Sequence, residues 1–184
     1  MGVGSFNAKI DFEAGDTPWS IANGDLDGDG KADLVVANSV SNTVSIYKNA
    51  SSEAGVISYE TKLDYATGAG PFSVSIGDLD GDTRPDLAVA NTGDNTVSVL
   101  RNTSAGAGAI SFASRIDFPT GSSPIAVSIG DLDADGKSDL ALTNFNDASV
   151  SILRNISGGA GVISFDEKVD FPSGQQPISV TMTT

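Results

Sequence analysis

Large apolar residues alternate with small or polar ones in short runs along the chain, which is the period of a strand whose two faces are occupied differently. In Pro71–Gly77, Phe72, Val74 and Ile76 point one way and Ser73 and Ser75 the other. Asp86–Asn91 sets Leu87 and Val89 against Ala88 and Ala90, and Thr96–Arg101 alternates again. Ala109–Phe118 puts Ile110, Phe112, Ile116 and Phe118 on one side. No stretch carries a helical period of useful length. The pattern predicts an all-β chain built from a unit of four short strands.

That unit recurs every 53 residues, and Tyr59–Ser111 matches Phe112–Ser164 at 28 of 53 positions, as expected of a recent duplication or a design that copied one unit. A bulky face opposite a Ser/Ala face lets one sheet settle on the next, about 10 Å away. Four-stranded antiparallel sheets stacked in this way are the blades of a β-propeller. The boundaries predicted for the three complete blades are 18–65, 71–118 and 124–171, within a single unit 1–184. An extra outer strand (5–14) precedes them and an extra inner strand (177–184) follows. Propellers close with roughly 4–8 blades, so three blades imply either a homo-oligomer that completes a ring, a dimer being favoured, or a piece of a larger propeller.

Between the first and second strands of each unit lies an acidic loop: DLDGDGKAD at Asp25–Asp33, DLDGDTRPD at Asp78–Asp86 and DLDADGKSD at Asp131–Asp139. Calcium takes about 6–8 oxygens at roughly 2.3–2.6 Å, and a nine-residue turn with alternate carboxylates can wrap one ion. The expected carboxylate ligands are Asp25, Asp27, Asp29 and Asp33, then Asp78, Asp80, Asp82 and Asp86, then Asp131, Asp133, Asp135 and Asp139. Lys31, Arg84 and Lys137, at position 7, would each offer a backbone carbonyl. Gly30 and Gly136 suit a sharp turn at position 6, where Thr83 stands in the second loop, so that loop is expected to be the weakest of three Ca2+ sites. Magnesium, which keeps its waters and demands strict six-coordination, fits less well. An EF-hand is excluded because its position-12 glutamate is replaced by Val36, Val89 or Leu142, each inside a strand.

The acidic loop within the run Phe–x–x–Gly–x–x–Pro, Ser-Val-Ser-Ile-Gly-Asp-Leu-Asp-Gly-Asp and Asp-Leu-Ala-Val-Ala-Asn, as in Tyr65–Asn91, resembles the FG-GAP/VCBS repeats of integrin α-subunits and many bacterial surface proteins. The resemblance covers essentially the whole chain. It implies propeller blades whose loops bind calcium mainly to support structure, and an extracellular or cell-surface origin.

Composition narrows the function further. Twelve of the 24 acidic residues are the loop aspartates, so the remainder nearly balances the 10 Lys+Arg. Charge confined to three loops fits cation sites rather than an acidic tail, and a chain that stays anionic with its cations bound does not suit nucleic acid. The chain has no Cys and no His, which excludes thiolate sites, the usual zinc ligands and nucleophilic triads. No run approaches a membrane span, and the opening MGVGSFNAKI lacks the basic and apolar regions of a secretion signal. Carboxylate-based glycoside hydrolysis is the enzymatic alternative, but the dense acid pairs are equivalent copies rather than two specialised groups, so a non-enzymatic scaffold is expected. A protein or glycan ligand is the second class of function, and the short loops, poor in aromatics, give it little support. Trp19 shares a repeat column with Phe72, Ile125 and Ile178 and is expected to pack in the core. Asn49, Asn102 and Asn155 match the Asn-x-Ser glycosylation pattern at one repeat position, where turn formation suffices to explain them.

Overall fold

The computed structural model describes residues 9–182. It contains twelve strands in three antiparallel sheets and, among the described residues, no helix. The first sheet runs β1 (Pro18–Gly24), β2 (Asp33–Asn38), β3 (Thr43–Tyr47) and β4 (Leu63–Ala66), in sequence order. The second repeats it with β5 (Pro71–Gly77), β6 (Asp86–Asn91), β7 (Thr96–Leu100) and β8 (Ile116–Pro119). The third does so with β9 (Pro124–Gly130), β10 (Asp139–Asn144), β11 (Ser149–Leu153) and β12 (Val169–Pro172).

The alternation read from sequence becomes the packing between sheets. Val35, Ala37, Val44 and Ile46 of the first sheet meet Val74, Leu87, Val89 and Leu100 of the second in one buried cluster. Ala88, Ala90, Val97 and Val99 on the second sheet's other face meet Val127, Leu140, Leu142 and Leu153 of the third in another. The small face also supplies hydrogen bonds: Val74 N–H donates to Ser20 Oγ (3.1 Å) and Val127 N–H to Ser73 Oγ (3.3 Å). One blade-like sheet thus docks on the next twice, and the row of three is not closed on itself.

Three expectations change. The fourth strand does not run from Ala109: β8 starts at Ile116, and upstream only an isolated bridge joins Asn102 to Phe112. The upstream leg leans instead onto the preceding sheet, where Ile110 is buried and Phe112 packs edge-on against Tyr65 (5.3 Å between centroids). Trp19 is not in the core; it is 54 % exposed. It occupies the bulge where the β1–β2 register shifts between Pro18 and Ser20, so it leaves the ladder and stacks on Phe72 at 4.5 Å.

The extra end strands are also not strands. Residues 9–15 and 177–182 carry no ladder, because no further sheet offers them one, and 5–8 and 183–184 lie outside the described residues. Their side chains still take the places the repeat assigns. Phe12 packs edge-on against Tyr59 (5.2 Å), as Phe118 does against Phe165 (5.0 Å). Met182 sits over Gly130 as Ile129 sits over Gly77, and its N–H reaches Ser128 Oγ (3.0 Å).

Candidate metal centre

Each acidic loop joins the first two strands of its sheet and is tied to both by its position-9 aspartate. Asp33 accepts Leu26 N–H on one oxygen (2.9 Å) and Asn49 N–H on the other (2.8 Å). Asp86 holds Leu79 and Asn102 in the same way (2.9 and 2.7 Å), and Asp139 holds Leu132 and Asn155 (both 2.8 Å). All three are buried. The position-1 aspartate shapes the turn: Asp25 accepts Gly28 and Gly30 N–H (both 2.8 Å), Asp78 accepts Gly81 and Thr83 N–H (both 2.8 Å), and Asp131 accepts Gly136 N–H (2.9 Å).

In each loop three carboxylate oxygens fall within 4.8 Å of one another: Asp25, Asp27 and Asp29 in the first, Asp78, Asp80 and Asp86 in the second, and Asp131, Asp133 and Asp139 in the third. In each loop the expected fourth carboxylate lies outside the triplet. Asp82 pairs with the Arg84 guanidinium and Asp135 with Arg154 (3.2 Å), while Asp33 is held by two amide donors, as Asp86 and Asp139 are within their own triplets. Lys31, Arg84 and Lys137 donate their N–H groups to the position-5 aspartates (each 2.9 Å), fixing the backbone whose carbonyls were the expected ligands.

Turn geometry accounts for the residues between the carboxylates. Positions 4 and 6 both lie in the left-handed region: Gly28 and Gly30 at φ 76° and 83°, Gly81 and Thr83 at 76° and 71°, Ala134 and Gly136 at 61° and 85°. At position 4 the change from Gly to Ala134 is the milder departure. A β-branched residue is strained in the left-handed region, and Thr83 adopts that conformation at φ 71°. The strain is a cost to the stability of the fold. Thr83→Gly is expected to raise stability by about 1 kcal/mol in urea denaturation, with chelator or without.

Burial sets the electrostatics. Desolvation pushes the Asp86 carboxyl up to about 6, and the charges of Asp80 and Asp82 add to it, while the Asn102 and Leu79 amides pull the other way. Asp33 is raised for the same reasons. A divalent ion relieves such a carboxylate, because it favours the charged form that burial penalises. The raised value has a sign that can be tested without metal. Between about pH 4 and pH 6 the folded state holds a proton on Asp86 that the unfolded chain has released, so stability falls as pH rises through this window. In chelator, wild-type protein is expected to lose about 3 kcal/mol between pH 4 and pH 7 relative to Asp86→Asn. Parallel pH profiles of the two proteins would contradict this.

A second layer of contacts comes from the neighbouring sheet. Asn102 Nδ2 donates to Pro85 O in its own sheet (2.9 Å) and to Leu26 O in the preceding one (2.8 Å). Asn155 does the same to Ser138 O (2.7 Å) and Leu79 O (2.8 Å). The Gly-rich loops reach back too, Gly108 N–H to Asp27 Oδ2 (2.8 Å) and Gly161 N–H to Asp80 Oδ2 (2.7 Å). These asparagines and glycines thus do more than the turn formation expected of them, and the sequence signal for it is Asn-x-Ser recurring at a fixed distance from each acidic loop. With both amide hydrogens donated inside the folded protein, the Asn102 and Asn155 side chains have no room for a glycan.

The model of the FG-GAP-like repeat family matches residues 25–89 and 78–142. No curated protein matches the chain. Among solved structures, a functionally unknown protein from Desulfotomaculum acetoxidans DSM 771 aligns over 88 % of this chain and 45 % of its own, at 17 % identity and a TM-score of 0.58. The chain thus spans less than half the length of that protein. A crystal structure of BBS1N in complex with ARL6DN, soaked with lead, aligns over 91 % of this chain and 60 % of its own, at 13 % identity and a TM-score of 0.39. No helix among the described residues is long and apolar enough to cross a membrane.

Proposed function

The chain belongs to the FG-GAP-like repeat family, and from that premise we propose that it is a non-catalytic propeller scaffold in which each acidic loop binds one calcium ion. The observation that carries this reading is the threefold convergence of carboxylate oxygens within 4.8 Å on one strand-to-strand turn. Oxygen is the only donor these loops offer, which suits a hard cation and not zinc. Asp25, Asp27 and Asp29, their counterparts Asp78, Asp80 and Asp86, and Asp131, Asp133 and Asp139 would be the first ligands. Asp33, Asp82, Asp135 and the carbonyls of Lys31, Arg84 and Lys137 would join as the loop tightens. The ion would cancel the repulsion within the turn and brace the first two strands of each sheet.

Sites of this kind in extracellular modules are half-filled at roughly 0.1–1 mM calcium, which favours an extracellular or cell-surface setting. The open row of sheets would close by homo-oligomerisation, a dimer being the simplest case. Two copies bring six sheets, inside the roughly 4–8 of closed propellers. Two copies also approach the length of the Desulfotomaculum fold, of which one copy covers 45 %.

Calorimetric titration of cation-stripped protein with calcium tests the cation reading. At least two equivalents should bind per chain, Asp78→Asn combined with Asp80→Asn should remove one, and magnesium should not substitute at equal concentration. Folded protein that takes up no calcium at millimolar concentration would reject it.

A further inference from the structure

The two faces that end the row differ from the inner ones in a way that names their partner. Leu132, in the third loop, is 49 % exposed, whereas its counterparts Leu26 and Leu79 are each 1 % exposed. At the other end Ile57 is 63 % exposed against 8 % for Ile110, and Ile21 is 63 % exposed against 8 % and 7 % for Val74 and Val127. These side chains are the unmatched halves of a contact that the chain makes twice within itself.

The polar groups show the same asymmetry. Asp27 and Asp80 each receive a backbone N–H from the following sheet's Gly-rich loop. Among the described residues no sheet follows Asp133, and Arg154 takes its oxygen instead (2.5 Å). The equivalent Lys48 and Arg101 stay farther off, at 3.6 and 4.0 Å from Asp27 and Asp80. On the opposite face Asn49 Nδ2 donates, among the described residues, to Ala32 O alone (2.9 Å), where Asn102 and Asn155 each reach two carbonyls.

We propose that the third acidic loop is a half-site completed by a second copy of this chain, whose first sheet docks head to tail on β9–β12. Asn49 of that copy donates to the Leu132 carbonyl, its Gly55 N–H replaces Arg154 on Asp133, and Ile57, Ile21 and Leu132 become buried. The repeat supplies the register: Asn49 and Gly55 stand to Leu132 and Asp133 as Asn102 and Gly108 stand to Leu26 and Asp27. A second copy is the occupant because its first sheet carries Asn49, Gly55, Ile57 and Ile21, the repeat counterparts of residues that cover each inner sheet. The end segments hold part of the two faces, Phe12 on Tyr59 and Met182 over Gly130, so docking exchanges Phe12 for the other copy's Phe171, which is exposed here. It also displaces residues 177–182 so that the other copy's Pro18–Gly24 takes their place, with Asn23 at the position of Met182. A head-to-tail contact closes into a ring or continues as a filament, depending on its rotation. The proposal deepens the scaffold reading and rests on it for the cation, but not for the contact between chains.

Single-sided variants test it in the full-length chain. Ile57→Glu spoils the front face and Leu132→Glu the back, both at exposed positions, with unchanged circular dichroism as the check on folding. By light scattering in millimolar calcium, wild type is expected at two or more times the chain mass and each variant alone at the chain mass. Their equimolar mixture should give a heterodimer, because each brings the face the other lacks. In calorimetry the third calcium equivalent should weaken about tenfold in Leu132→Glu while the first two stay put. A monomeric wild type, as expected if a further sheet of a longer chain covers these faces, or variants that assemble like wild type would overturn the proposal. Two or three equivalents of calcium bound by a strict monomer would leave the cation reading standing without it. Assembly without calcium uptake would leave the contact standing without the cation reading.

Discussion

Stripping divalent cations from the folded protein is expected to lower its melting temperature by about 10–20 °C. A ligand that binds only the folded state stabilises it by RT ln(1 + [L]/Kd), about 2.7 kcal/mol per site at a hundredfold excess over Kd. The two enclosed loops alone then contribute about 5 kcal/mol, and for a chain of this size each kcal/mol moves the midpoint by roughly 2–4 °C. The effect is large because the loops crowd like charges: Asp80 and Asp86 are buried beside Asp78, and a divalent ion would offset their repulsion. Differential scanning calorimetry in excess chelator against millimolar calcium reads it directly. Monovalent salt screens charges at the surface but reaches buried carboxylates poorly, so 0.5 M sodium chloride should recover little of the loss. An unchanged melt in chelator would reject the linkage between cation and fold.

Much of this architecture is legible in the sequence, and the part that is not has a common cause. β5 and β6 begin and end where alternation places them, at Pro71–Gly77 and Asp86–Asn91, because side-chain period within one strand is a local property. Three of the four aspartates of each loop converge because their spacing fixes them on one turn. Contacts between repeats are what escape such a reading. Ala109–Phe118 looks like one long strand, yet Ile110 and Phe112 turn toward the sheet before them and only Ile116–Pro119 stays in the ladder. The bulge at Trp19 likewise breaks an alternation that its letters continue.

The third loop makes the point most sharply. Its sequence is close to that of the first, but Asp133 meets a guanidinium where Asp27 meets an amide, because the donor belongs to the following sheet and not to the loop. Equivalence of letters in a repeat is therefore not equivalence of sites. What differs between copies is the neighbour, and the end copies lack one. Affinity, burial and mutational cost should consequently vary along the row even where residues do not.

The asparagines that open the Gly-rich loops offer the sharpest measure of that variation. Asn102→Ala strands two carbonyls, of Leu26 and Pro85, and the Ser104 amide that Asn102 Oδ1 accepts (2.8 Å), all in a buried setting. Each unsatisfied buried group costs about 1–3 kcal/mol, so a loss of about 3–5 kcal/mol is expected, and Asn155→Ala should match it. Asn49→Ala removes only the bonds to Ala32 O and Ser51 N–H, at a half-buried position where water can replace them, and should cost about 1 kcal/mol. Urea denaturation on the Leu132→Glu background, where no second copy can dock, isolates these values. Equal costs at the three positions would mean that the bond between sheets adds nothing. With Leu132 restored and the protein concentrated, the cost of Asn49→Ala should climb toward that of Asn102→Ala, since a second copy would then supply the acceptor that the first sheet lacks.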